Sequence, residues 1–291
     1  MLTKIPRRTL ATIAVLISIV SVQAGATFGK HLFPIVGAEG TTALRQGFAA
    51  LILLAVFEPW RNGPARKDWG VLGLYALIMG VMNLTFYMGI ARVPLGIGVA
   101  IEFLGPLTVA VATSRRAVDF VWIACAALGL VILLPWQGGA RALDMIGVLW
   151  CAVAAVCWGL YIIVGQRVSD RVHGGKAVAL AMAITTIFTL PIGIATAGPA
   201  LWSWSVLPWG IAVGVLSSAI PYTFEMLALK HMPAKTFSLM MSLEPAVGAI
   251  LAFLIVGESL SLVQVVAIAL VVLASAGSSV TAKRAANDAT A

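Results

Sequence analysis

An acidic residue in the middle of an otherwise uncharged, bilayer-length run is the feature that most limits what this chain can become. Glu102 lies near the centre of Leu95–Thr113, with Pro94 just before the run and Pro106 inside it. An ionised carboxylate at the midplane costs about 2.5–3.5 kcal/mol on insertion scales, so it must face a cavity or a partner, not lipid. Proline inside a helix removes one bond of the i to i−4 ladder. The stretch therefore reads as an interrupted helix that carries an acid. The same arrangement returns in Met232–Ala246, where Glu244 directly precedes Pro245.

The rest of the chain has the composition to surround such helices. It is 61% hydrophobic and 10% charged, with a mean hydropathy of +1.03, which places it among polytopic membrane proteins. Apolar runs bounded by charge, Gly or Pro predict an all-α integral membrane fold of ten spans. These are Leu10–Phe28, Thr41–Phe57, Trp69–Ile90, Leu95–Thr113 and Val118–Leu134, then Met145–Val164, Ala177–Ala197, Leu207–Leu229, Thr236–Val256 and Leu262–Val280. Met1–Ala26 has a basic start and small residues near its end, as a signal peptide does. Its apolar run is as long as a full span and has a repeat partner downstream, so it is expected to be retained. Seven tryptophans near run ends (Trp60, Trp69, Trp122, Trp136, Trp202, Trp204 and Trp209) fit interfacial anchors.

A net charge of +8 raises the question of nucleic acid, but the charges sit in short loops between apolar runs. With a cytoplasmic N-terminus, 15 of the 19 Lys and Arg residues fall on the cytoplasmic side, among them Arg7, Arg66, Arg116, Lys176 and Lys230. Lys30, Arg92 and Arg141 fall on the other side, and Arg45 lies within a span. This positive-inside bias predicts both termini in the cytoplasm and gives nucleic acid no role. Cys125, Cys151 and Cys157 all lie in apolar runs and read as packing residues, with no disulfide framework and no metal-ligand spacing.

A shift of 139 residues superposes Pro94 on Pro233 and Pro106 on Pro245, and brings Asn83 onto Tyr222 and Phe86 onto Glu225. The chain thus divides into residues 1–139 and 140–291, each with five spans. Five is odd, so the second unit must enter the membrane upside down. An inverted five-plus-five repeat with interrupted helices is an alternating-access architecture, with its site near the midplane.

Polar residues at that depth are few. Glu102 and Glu225 are candidates for a substrate ammonium or a proton, against a structural hydrogen bond or pair. Tyr222 precedes Glu225 by three residues and follows Pro221, so phenol, acid and freed carbonyls share a face. Glu244 could hold a ligand or cap the half-helix that follows. Arg45 could clamp a carboxylate, but snorkelling or neutralising Glu39 is the favoured expectation. Asn83 and Tyr87, at i and i+4, could present an amide and a phenol to a hydroxylated ligand or bond between helices. Trp158 and Tyr161 are cavity walls or packing. The histidines, His31, His173 and His231, fall in loops, and no catalytic triad, phosphate loop or metal cluster appears. The chain is read as no enzyme, with no catalytic residues, no metal and no cofactor. Any transport is then driven by a gradient.

The segments QAGATFGKHLFPIVG, TALRQG, NLTFYMGIARVPLGIGVAIEFLGPL, SRRAVDFVW and PYTFEMLAL…MSLEPAVGA resemble those of EamA-type carriers of the drug/metabolite transporter superfamily. The resemblance runs nearly end to end, and VAIEF and SRRAVDFVW place it nearest the branch that exports threonine and homoserine. Ala117, where that branch carries proline, and Ile101 are minor departures. The resemblance implies efflux of small hydroxylated amino acids across the bacterial inner membrane, coupled to proton influx. It also implies a cavity walled by spans one to four and six to nine, facing Glu102, Glu225, Asn83 and Tyr222. It leaves a homodimer open. The alternatives are a carrier for another amino acid, a purine or a drug cation, and a membrane assembly protein with no transport cycle.

Overall fold

The computed structural model describes residues 6–29, 32–93, 98, 101–114, 116–133, 144–244 and 247, with scattered positions between 262 and 281. Every regular element among them is helical. In chain order these are α1 (Arg7–Gly29), α2 (Phe33–Phe57), α3 (Trp69–Ile90), α4 (Leu104–Ala112) and α5 (Ala117–Leu133). They continue with α6 (Met145–Arg171), α7 (Gly174–Ala197), α8 (Leu207–Gly214), α9 (Ile220–His231) and α10 (Ala234–Met241). A π-turn at Val215–Ala219 joins α8 to α9 as one rod. Five helical stretches are long and apolar enough to cross a membrane: Phe33–Phe57, Arg66–Ile90, Met145–Arg171, Gly174–Trp202 and Leu207–His231. The chain is a multi-pass membrane protein.

The helix ends differ from the sequence expectation in instructive ways. The second helix was expected from Thr41 but starts at Phe33, eight residues earlier, and passes a break at Gly37 (φ 70°, ψ −174°). Only glycine takes that backbone conformation without a steric penalty, so the kink depends on Gly37. α6 and α9 run past the expected Val164 and Leu229 to Arg171 and His231, since charged side chains let a helix continue out of the apolar layer. The later parts of the ninth and tenth expected spans lie outside the described residues, as do Pro94, Lys30, His31 and Pro245.

Two helices are interrupted by a turn just before a proline, whereas α7 continues through Pro191. Phe103 is a turn between the helical pair Ile101–Glu102 and α4, and Ser242 is a turn between α10 and Leu243–Glu244. Each turn stands three residues before a proline, Pro106 or Pro245. Neither proline has an N–H for the carbonyl four residues back, so the helix tightens there. Positions 103 and 242 are themselves 139 apart.

The packing follows one pattern. α2 lies along α7, α3 along α6, and α1 along the α8–α9 rod; α3 also touches α7, α2 touches α8, and α4 meets α10. Close approach relies on small residues: a Cβ on Gly105 of α4 would collide with the Ala155 carbonyl of α6. The interior is filled by Tyr75, Tyr161, Phe103, Phe237, Met79 and Met226, all fully buried. Large apolar side chains such as Leu51, Val56, Val156 and Ile187 point outward, which is unfavourable in water and ordinary in lipid.

Ion pairs tie helix ends. Asp119, nearly buried at the start of α5, meets Lys235 of α10 at 2.8 Å. Asp68 stands 4.0 Å from Arg171. At the far end of α3, Arg92 pairs with the N-cap Asp144 at 3.1 Å, and Asp144 accepts from the Ile146 and Gly147 N–H groups. The Arg92 guanidinium, helped by those N–H groups, holds the Asp144 carboxyl below the usual carboxylate range.

Candidate functional site

Glu225 is a buried acid held on both of its carboxyl oxygens. It sits on α9 at 4% exposure. Ser18 of α1 donates to its Oε1 at 2.7 Å, and the Tyr161 hydroxyl of α6 donates to its Oε2 at 2.9 Å. Ser18 of α1 and Tyr161 of α6 are thereby both tied to one carboxyl group on α9. The Tyr161 ring stacks on Tyr75 with centroids 5.2 Å apart and meets Tyr222 edge-on at 5.7 Å.

The backbone beside Glu225 is arranged by Pro221. In the π-turn the N–H of Ile220 reaches Val215, so the next carbonyl, Leu216, would look to residue 221 for its donor. Proline has none, and Ser21 of α1 supplies it at 2.7 Å. Ser18 and Ser21, at i and i+3, thus serve the same neighbouring rod.

Tyr222, one turn before Glu225, donates to Asn83 Oδ1 at 2.9 Å, and Asn83 Nδ2 donates to the Met79 carbonyl of its own helix at 2.7 Å. The amide is thus engaged on both sides by protein. One turn on, Tyr87 receives the Arg45 Nη1 donor at 3.2 Å, with the guanidinium carbon 4.7 Å from the ring centroid. The expectation that Arg45 snorkels or neutralises Glu39 is overturned. Arg45 is 6% exposed, is stacked against Tyr87, and forms no ion pair among the described residues. α2 begins eight residues early, which carries Arg45 from an outer end into the interior. Its Nε and Nη2, and both polar atoms of neighbouring Gln46, are buried without a hydrogen-bond partner. Such groups cost free energy until something pairs with them.

Glu102 and Glu244 differ from Glu225. Both are half-buried, both precede or follow a helix break by one or two residues, and neither side chain receives a hydrogen bond among the described residues. Glu102 lies within electrostatic reach of Glu244 and of Arg45, Glu244 within reach of Glu225, and Tyr222 within reach of Arg45, Glu102 and Glu225. Gln23 of α1 donates to the Glu244 backbone carbonyl at 2.8 Å. Phe103, the residue at the turn after Glu102, packs edge-on against the buried Trp158 at 5.6 Å.

Hydrogen bonds thus join Arg45 to Tyr87 and Asn83 to Tyr222, with Glu225 one turn after Tyr222 and Glu102 and Glu244 within electrostatic reach. Sequence reasoning missed Ser18, Ser21 and Tyr75. A hydroxyl inside an apolar run carries almost no signal, and only the shared face of Ser18 and Ser21 could have marked them.

Residues 145–280 match the EamA-like transporter family. Over 275 residues, 94% of this chain and 93% of theirs, the chain is 46% identical to the threonine/homoserine exporter RhtA of Salmonella typhimurium. It is 44% identical over the same span to RhtA of Escherichia coli K12. The uncharacterized transporter YyaM of Bacillus subtilis is 24% identical over 87% of this chain and 88% of its own. A solved crystal structure shares the fold, with a TM-score of 0.75 at 18% identity, covering 93% of this chain and 98% of that one.

Proposed function

This chain belongs to the EamA-like transporter family, and from that premise we propose that it exports small hydroxylated amino acids, threonine and homoserine, by alternating access. Its named relatives are carriers, not enzymes. The observation that carries the mechanism is Arg45. It is a buried guanidinium with two unpartnered nitrogens, within electrostatic reach of an unbonded carboxylate, Glu102. A zwitterion matches that pair, its carboxylate on Arg45 and its ammonium between Glu102 and Glu244.

Ten spans in two inverted units are the architecture this reading requires. The packing supports it: exchanging the units by the 139-residue shift maps α3–α6 onto the α1 and α8–α9 contact, and α2–α7 onto itself. The breaks at Phe103 and Ser242 and the Tyr222–Asn83 bond also join equivalent positions. Arg171, Lys176, Lys230 and Lys235 share one end of the bundle, which supports cytoplasmic termini in the inner membrane.

Proton antiport follows from the carboxylates. Glu102 and Glu244, within mutual reach, compete for one cation, an ammonium or a proton. Substrate departure on one side leaves the position to a proton from that side, and the reverse swing returns it. Counterflow tests the reading. Proteoliposomes preloaded with threonine should exchange labelled threonine saturably and faster under an imposed pH gradient. No exchange of threonine or homoserine by folded protein would contradict it.

A further inference from the structure

A group of basic side chains around a mainly apolar pocket lies outside the central cluster. Between the start of α1, the ends of α2 and α9 and the start of α7 is a half-open pocket of about 470 Å³. Its polar rim is formed by Arg7, His173, Lys230 and His231, with no acidic residue in the lining. Arg7 and Lys230 both lie within electrostatic reach of His231. At the same end of the bundle Arg61, Arg171 and Lys235 each face a carboxylate, and Lys176 donates to the Arg61 and Asn62 carbonyls. The four rim residues face none among the described residues.

Independently, α7 opens into this pocket with Gly174 and Gly175. It has no side-chain cap and no acidic residue in its first turn. The first turn of α7, whose N–H groups have no intrahelical acceptor, adds the positive end of its helix dipole to this basic rim. The floor is Met226 and Thr223, and Met226 is the residue next to Glu225.

We propose that this pocket is an oxyanion vestibule that takes the carboxylate of the amino acid before it reaches the central cluster. This rests on the export reading above. A carboxylate or a phosphate oxyanion satisfies the same donors. Placement on the helix that carries Tyr222 and Glu225 favours the substrate over a lipid headgroup. The site is formed by residues far from Arg45, so it adds a capture step ahead of the central one.

The test uses the full chain in nanodiscs with Thr223→Cys as a reporter inside the pocket, the native cysteines being read separately by peptide mass spectrometry. Focusing by the rim should make an anionic methanethiosulfonate react roughly tenfold faster than a cationic one, after correction for their rates with free thiol. Arg7→Gln with Lys230→Gln should remove that preference. Threonine should slow labelling in phosphatidylcholine nanodiscs, and threonine amide should not. Equal rates for the two reagents would overturn the vestibule. Protection by phosphatidylglycerol that threonine does not add to would assign the site to a lipid phosphate and overturn the loading role. Counterflow on the wild-type chain separates the two claims. Protection without exchange keeps the vestibule and removes the export reading, and exchange without protection does the reverse.

Discussion

Glu225 and Glu102 are both carboxylates deep in apolar helices, yet they are built differently. Glu225 lies within an unbroken turn of α9 and accepts hydrogen bonds from α1 and α6. Glu102 stands at a break, half-buried, with no donor on its side chain among the described residues. A buried acid whose oxygens are already satisfied holds helices together. One without a donor, near an Arg45 whose Nε and Nη2 lack partners although its Nη1 reaches Tyr87, is the one we propose for the ligand. Depth in the membrane does not separate the two roles; hydrogen-bond partners do.

The comparison can be broken from its structural side first. Glu225→Ala leaves the Ser18 and Tyr161 hydroxyls buried without an acceptor, and should cost about 3 kcal/mol of stability. Thermal unfolding in detergent or bilayer mimetic measures it. Wild-type stability would mean that Glu225 is not the pin described here. Tyr222→Phe is the milder version. It removes one donor from Asn83 and should cost about 1 kcal/mol while leaving threonine exchange near wild type. A large loss of exchange with unchanged stability would move Tyr222 from the scaffold to the ligand.

Much of this contrast was legible in the sequence. Pro94 and Pro106 against Pro233 and Pro245 gave the spacing that the breaks at Phe103 and Ser242 follow. The same shift related Asn83 to Tyr222, which meet at 2.9 Å. Proline acts on its own turn, yet it does not always interrupt a helix: Pro191 lies inside the continuous α7. What the sequence did not show depends on which helix faces which. Arg45 looked like an outer-end residue because Gly37 hid an early helix start, and no local rule assigns Ser18 to Glu225 across 207 residues. The half-open basic pocket is a similar case. Arg7, His173 and Lys230 are ordinary loop-side charges until folding sets them around one space.

Gradient-driven exchange of labelled threonine by Glu102→Gln and Glu225→Gln, reconstituted side by side at equal amounts of folded protein, tests the central claim most directly. Glutamine keeps the shape and removes the charge. Glu102→Gln should lose the acceleration by a pH gradient, and Glu225→Gln should keep it. A Glu102→Gln carrier that responds to the gradient as the wild type does would contradict the assignment of coupling to the open carboxylate.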